Sequence, residues 1–455
     1  MKWIKNLFLF ILLLVLAAYV YFYEIKGGEK REQEKQEAEL VFQFEPDSVK
    51  SLEVRSALAD FLFRRRGEQW QILKPVMTDA EKSTITSALN TLKSLKKERE
   101  FTIQRNELKS YGLVGTSMLV IFESTNGQRD SVRFGDDTPI GSNAFANKVD
   151  TAVFMVPNYA KRNFIKTLFD WREKSVSKVK QADVQEFILQ NPQGKFHLVK
   201  EGSDWQLKSP LSTRADNSTV SSILSKLEFG RATGVASETF DQPSQYRLSK
   251  PAYRIELLVG EARAQKNIII SDLQDNVAYV NDMTRSPVFT VDSTFIREIN
   301  KSLFQLRYKK ITEFDRDGAD SLVVNQGDSV FIFNKDTSSA WYLSGNKRVK
   351  TWKMNSLLTT LNNLSAKKFL LENVPSTSEY GLSKPERIIT LYRGGEKIQQ
   401  VLFAAPAKNL KVAYSPYSRI VAEIEESAYN NTIISSSDFI DVPPPPPVQT
   451  DTEDP

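Results

Sequence analysis

His197 is the one side chain of this 455-residue chain whose ordinary titration falls near neutrality, and no cysteine is present. By residue type His197 is the natural general base. The lack of cysteine excludes disulfides, thiolate zinc sites and cysteine nucleophiles. Two carboxylate groupings remain. Glu313-Phe314-Asp315-Arg316-Asp317-Gly318-Ala319-Asp320 sets oxygen ligands at alternating positions around a glycine, as a calcium loop does. Counted from Glu313, the twelfth position is Val324, where a bidentate glutamate belongs. Counted from Asp315, the glycine is misplaced, so the segment reads as an acidic turn between domains. Asp136 and Asp137 follow Phe134-Gly135, and Asp272 answers Asp136 in the next part of the chain. Such a pair can serve acid/base chemistry, but glycine and aspartate after a strand are also turn residues. Trp70, Trp205 and Trp341 can stack on sugars or fill a core. Phosphate-binding loops, nucleophile elbows and His-Glu-x-x-His helices are absent from the sequence.

The elements that would position these residues come in triplicate. Gly67-Glu68-Gln69-Trp70-Gln71-Ile72-Leu73-Lys74-Pro75 returns as Gly202-Ser203-Asp204-Trp205-Gln206-Leu207-Lys208-Ser209-Pro210, and in blurred form as Ser339-Ala340-Trp341-Tyr342-Leu343. The tryptophans are 135 and 136 residues apart. Tyr111-Gly112-Leu113, Tyr246-Arg247-Leu248 and Tyr380-Gly381-Leu382 keep nearly the same step. Repeats of this size can each bury a core, unlike solenoid units. The repeat also filters chemistry. His197 aligns with Leu62 and Ile332, which reads as a packing position on a strand. Neither the acidic segment nor the aspartate pair is kept in all three copies.

Within each unit, alternation at Val49, Leu52, Val54, at Val184, Phe187, Leu189 and at Ala319, Leu322, Val324 predicts a first strand. A second strand and a hairpin lead to the tryptophan strand, which Pro75 and Pro210 close. An amphipathic helix follows. Its stripe is Ile85, Ala88, Leu89, Leu92, then Val220, Ile223, Leu224, Leu227, then Met354, Leu357, Leu358, Leu361. Asp79, Asp216 and Thr351 are its expected N-caps. More strands follow the tyrosine mark. The unit ends in a short helix, Leu168-Phe169-Asp170-Trp171-Arg172, which recurs as Leu303-Phe304-Gln305-Leu306-Arg307 and keeps Phe439 in the third copy. The expected fold is α+β, three tandem repeats after one N-terminal transmembrane helix, each repeat a mostly antiparallel sheet covered by two helices.

Leu7 to Tyr23 is an uncharged apolar run that would span roughly 26 Å as a helix. Lys2 and Lys5 ahead of it favour a cytoplasmic N-terminus, and Tyr19, Tyr21 and Tyr23 suit an interfacial belt. An uncleaved anchor is expected. The competing reading is a signal peptide cut after Val15-Leu16-Ala17. The expected organisation is an anchor at 1–23, a charged stalk at 24–40, repeats at 41–176, 177–310 and 311–441, and a proline-rich disordered tail at 442–455. Net charge is +5 from 61 basic and 56 acidic residues, which argues against a nucleic-acid partner.

The Trp-x-Leu/Ile-x-x-Pro mark, the Leu-rich helix and Tyr380-Gly381-Leu382-Ser383-Lys384-Pro385 resemble the bacterial domain-of-unknown-function 4340 family (DUF4340). So does the membrane helix ending in Tyr-Val-Tyr-Phe-Tyr-Glu. Repeat one lacks the second proline and repeat three the first. The resemblance implies an envelope accessory role beside a gliding-motility-type ABC transporter and its auxiliary membrane subunit. The chain is therefore expected to be a non-enzymatic, membrane-anchored periplasmic scaffold of the inner membrane with an ABC permease or auxiliary subunit as partner. It is expected to carry no catalytic, cofactor or metal residues. The alternatives are an envelope polysaccharide or peptidoglycan binder and a carboxylate-based hydrolase.

Overall fold

A computed structural model describes residues 36–115, 117–374 and 378–441, with isolated positions between 3 and 21. Apart from those positions, the apolar run Leu7–Tyr23 lies outside the described residues, as do most of the stalk and the tail at 442–455. Among the described residues no helix is long and apolar enough to cross a membrane.

The first repeat contributes β1 (Val49–Arg55), β2 (Asp60–Arg66), β3 (Gln69–Lys74), β4 (Thr78–Asp79), helix α1 (Lys82–Lys93), β5 (Arg99–Thr102), β6 (Met118–Ser124), β7 (Arg129–Asp137), β8 (Asn143–Asn147), β9 (Ala152–Pro157), α2 (Asn158–Arg162) and α3 (Leu168–Trp171). The second contributes β10 (Val184–Asn191), β11 (Gly194–Glu201), β12 (Asp204–Ser209), β13 (Thr213–Arg214), α4 (Asn217–Phe229), β14 (Gly234–Ser237), β15 (Tyr253–Val259), β16 (Ala264–Ile270), β17 (Ala278–Asp282), β18 (Val288–Val291), α5 (Ser293–Ile299) and α6 (Leu303–Leu306). The third contributes β19 (Ser321–Gln326), β20 (Ser329–Lys335), β21 (Trp341–Leu343), β22 (Lys347–Arg348), α7 (Thr351–Asn362), β23 (Lys368–Glu372), β24 (Arg387–Arg393), β25 (Glu396–Ala407), β26 (Leu410–Ser415), β27 (Ile420–Glu423), α8 (Glu426–Asn430) and α9 (Ser436–Phe439). Each repeat is one nine-stranded antiparallel sheet, ordered β4-β3-β2-β1-β6-β7-β8-β9-β5 in the first and correspondingly in the others. The long helix and its flanks carry the chain from one edge strand to the other.

The chain divides into two compact units. One comprises Met1–Lys178, Glu228–Leu248 and Leu273–Asp292; the other comprises Val179–Leu227, Ser249–Asp272 and Ser293–Pro455. The residues that join repeat one to repeat two fall in the first unit. Those that join repeat two to repeat three fall in the second.

The sequence periods produce the layers. β6 buries every second side chain, and α1 buries Ile85, Ala88, Leu89 and Leu92. Each fully buried side chain of this kind contributes about 1.5–3 kcal/mol. Trp70 lies in the first core and Trp341 in the third, and Trp205 is likewise buried, its ring 5.4 Å from that of Phe187. The tryptophans are therefore core residues, not exposed stacking platforms. The terminal helix closes the same layer: Trp171 meets Phe63 at 5.0 Å, and Phe439 meets Phe333 at 5.5 Å in the corresponding place.

Two expectations are corrected, and one placement is new. Each sheet carries one long helix and two short ones, so helical content is lower than two covering helices imply. The extra helices α2 and α8 have five residues each, too few for a 3.6-residue period to register. Of the expected caps, Asp216 accepts from the Thr219 amide at 2.8 Å. Asp79 lies in β4 and Thr351 is already helical, while Glu81 and Lys350 hold the cap positions without side-chain caps. The tyrosine mark packs on the reverse face of the sheet. Tyr111 and Leu113 join Phe145 and Val153, whose strand neighbours Ala146 and Phe154 face the helix side.

Gly112 makes that turn possible. Its φ is +67°, and a Cβ there would stand 2.5 Å from the Asp136 side chain. Gly67 has φ +58° with open space around it. We expect Gly112→Ala to lower stability by more than the about 1–2 kcal/mol of a left-handed alanine, and Gly67→Ala to lose only that part. Urea denaturation of the two variants separates the terms, and equal losses would remove the steric one.

Candidate functional site

The residues singled out by type are engaged locally. His197 lies on β11 at a bulge, with Phe196 and Leu198 buried on either side of it. It faces outward, half-exposed, so it is not the packing position its sister residues suggested; Ile332 is itself 43% exposed. Its Nε2 lies 2.7 Å from Glu186, which also pairs with Arg263. Burial pushes the Glu186 carboxyl up, but His197 and Arg263 together hold it below the usual range. In the acidic segment, Asp315 meets Arg393 at 3.5 Å and Asp320 accepts from the Gly394 amide at 2.5 Å. Among the described residues no group of three or more carboxylate or histidine side chains is arranged to hold a metal. Asp137 is held by Lys161 at 2.9 Å and by the Asn158 amide at 2.6 Å. Its carboxyl is lowered chiefly by the Lys161 hydrogen bond. Asp136 instead lines a cavity of about 400 Å³ beside Leu58, Val114, Phe134 and Ile165. The two aspartates stand in β7 across an irregularity in its pairing, not in a free turn. Asp272 follows the end of β16.

A different set of charges is buried where repeats meet. Arg172 caps α3, and a backbone bridge to Ala80 pins its main chain. Its Nη2 donates to both Glu238 oxygens, at 2.7 and 2.9 Å, with the arginine side chain 2% exposed. In the second unit Arg307 caps α6 and bridges Ala215 in the same way. It forms a two-point pair with Glu372 at 2.9 and 2.5 Å, its guanidinium 3.9 Å from the Phe369 ring centre. The arginine closes one repeat and the glutamate belongs to the next. In repeat three, Ile440 takes the arginine position and bridges Val349. In repeat one, Ile103 takes the glutamate position, directly after β5. The pair thus occurs only where two repeats abut. Requiring a residue to recur in all three copies concealed it, although Arg172 and Arg307 recur visibly in the terminal helix.

The segments between repeats are paired too. Val176 donates to Gly230 O and the Ala232 amide to Lys174 O; Ile311 donates to Leu364 O and the Ala366 amide to Lys309 O. Around them the charges invert. Asp79 pairs with Lys178 in the first unit, and Arg214 pairs with Glu313 at 3.0 Å at the corresponding positions of the second.

The second junction also holds a cavity of about 390 Å³, lined by Arg214, Arg307, Tyr308, Glu372, Tyr417 and Ser418 among others. The Arg214 guanidinium lies 4.2 Å from the Tyr308 ring centre. Burial first, then Glu313, pushes the Tyr308 phenol up to about 12, so it stays a neutral donor. The Nε atoms of Arg214 and Arg307 and the Ser418 hydroxyl are buried without a hydrogen-bond partner among the described residues. The cavity wall is thus lined by charged and polar side chains.

Removing one partner of a buried ion pair leaves the other charge uncompensated. We expect Arg307→Met or Glu372→Gln alone to cost about 2–3 kcal/mol, below the about 3–5 kcal/mol of fully buried pairs because part of Glu372 stays in water. The double variant should recover part of that, and a denaturant double-mutant cycle without coupling would refute the pairing. At the outer pair, Glu313→Lys should cost about 0.5–1 kcal/mol, and adding Arg214→Asp should recover only part of it, because Asp204 lies beside that position.

Asp137, Asp216 and Glu186 are all held below the usual carboxyl range. For Asp216, burial opposes this and is outweighed by Ser218, Thr219 and Lys309. A depressed folded-state value stabilises above the unfolded value, near 4, and that stability is lost as pH falls through the folded one. The melting temperature should hold from pH 7 to about 5 and fall below about 4. Lys161→Met should flatten the acid limb, and an unchanged limb would dismiss Asp137 as a contributor.

The model of the family described as Domain of unknown function (DUF4340) matches the sequence twice, at residues 70–251 and 205–385. Each match runs from the tryptophan of one repeat to the Pro251 or Pro385 that follows the tyrosine mark of the next, so each includes a junction. No curated protein matches. Among solved structures, a DNA polymerase III subunit beta sliding clamp from Pseudomonas aeruginosa aligns at 8% identity over 86% of this chain and 95% of its own, with a TM-score of 0.12. The subunit from Borrelia burgdorferi aligns at 7% over 88% and 96%, with 0.16. The Helicobacter pylori beta clamp aligns at 7% over 88% and 98%, with 0.14. Superpositions this poor carry no conclusion about fold or function.

Proposed function

This chain belongs to the DUF4340 family, and on that premise we propose that it is a non-enzymatic scaffold or accessory protein of the bacterial cell envelope. In this reading residues 1–23 anchor it once in the inner membrane with the N-terminus cytoplasmic. The repeats then lie on the periplasmic side, where they contact the permease or auxiliary subunits of an ABC-type transport or gliding-associated system. The observation that carries the reading is the use made of buried charge. Arg172–Glu238 and Arg307–Glu372 hold one repeat to the next. Asp137 and Glu186 are both already in ion pairs, with Lys161 and Arg263. Catalytic sites instead keep titratable groups aimed at substrate. A hydrolase built on carboxylates would need a facing pair roughly 5–10 Å apart across a cleft. Envelope polysaccharide binding is the second reading, favoured by the polar cavity beside Arg307.

Affinity purification of the detergent-solubilised full chain from its own cells tests the proposal. The expected result is enrichment of ABC permease or auxiliary subunits, kept when His197→Ala and Asp137→Asn are introduced. Recovery of the chain alone, or hydrolytic activity that His197→Ala or Asp137→Asn abolishes, would overturn it.

A further inference from the structure

Corresponding turns at the two junctions differ in one side chain. The β17–β18 turn and the β26–β27 turn have equal length and the same register. Asp282 accepts from the Thr284 amide at 3.0 Å in one, and the Ser415 hydroxyl accepts from the Tyr417 amide at 3.3 Å in the other. Arg285 therefore corresponds to Ser418. At the first junction Arg285 fills the space. Its guanidinium donates to Ser175 O at 2.5 Å, meets Glu173 at 3.2 Å and lies 5.0 Å from the Phe289 ring centre. At the second junction the arginine is a serine and its partner Glu173 is Tyr308. The space is the 390 Å³ cavity, within the size range of small-molecule sites.

We propose that this cavity is a binding site for a neutral polyhydroxylated ligand, a saccharide unit, which goes beyond the scaffold reading and gives the second reading a location. The wall selects the chemistry. Glu372 is held at both oxygens by Arg307, and Glu313 is held by Arg214. An anion entering the cavity meets these carboxylates, and a cation meets the arginines that neutralise them. A hydroxyl both donates and accepts, so it meets the spare carboxylate lone pairs of Glu313 and Glu372 and the remaining N–H groups of the part-exposed Arg214 together. Tyr417, half-exposed at the rim, supplies a ring face for the apolar side of a sugar.

The test is calorimetric titration of the detergent-solubilised full chain with N,N′-diacetylchitobiose and with maltose, set against sodium acetate, inorganic phosphate and arginine methyl ester. One disaccharide should bind saturably and the ionic probes should not. Ser418→Arg restores the side chain that fills the first junction. It should weaken disaccharide binding at least about tenfold, or 1.4 kcal/mol, and cost some stability because Tyr308 stands where Glu173 pairs with Arg285. Tyr417→Ala lies on an exposed turn and should weaken binding without unfolding the chain, so a decision remains if Ser418→Arg misfolds. The proposal is overturned if neither disaccharide binds, if an ionic probe binds in their place, or if both variants bind as the parent does.

Discussion

A guanidinium sunk between two repeats governs this structure. Arg172 and Arg307 are among its most buried polar residues, and each is neutralised by a glutamate from the repeat that follows. Taking an arginine out of water costs several kcal/mol unless a carboxylate meets it in good geometry. Each repeat that carries the arginine is therefore complete only when its successor is in place. The main chain enforces the same order, because the arginine's backbone is bridged to its own repeat while the next few residues pair with the new one. At the two ends of the array the positions revert to Ile103 and Ile440, where a lone buried charge would have nothing to meet.

The two junctions share this pair and differ elsewhere. The outer ion pair exchanges sign between Asp79–Lys178 and Arg214–Glu313. Crossing either partner with the other junction would bring like charges together, so the inversion favours the native sequence of contacts at little cost in stability. The first junction is filled by Arg285 and the second is open beside Ser418.

Much of the fold was legible because period and burial coincide. The alternation at Leu52 and Val54 and the stripe at Ile85, Ala88, Leu89 and Leu92 report one buried face each, and all are buried. Features that depend on distant partners were not legible. Nothing local marks Glu238 as the mate of Arg172, 66 residues away. The outward direction of His197 depends on strand pleat and on a bulge. Asp79 has the composition of a helix cap, but its backbone is paired into β4 and its carboxylate goes to Lys178. The reverse-face packing of Tyr111 and Leu113 follows from where the edge strand β5 closes the sheet, a matter of topology.

Residue-resolved hydrogen exchange on the solubilised full chain tests the coupling of repeats most directly. The account predicts that the amides of Val176 and Ile311, which donate across the junctions, are protected as strongly as the central strands β1 and β10. It further predicts that Arg172→Met and Arg307→Met each release only the amide at the junction they disrupt. Exchange at Val176 and Ile311 as fast as in an unfolded chain, with the sheets still protected, would contradict it.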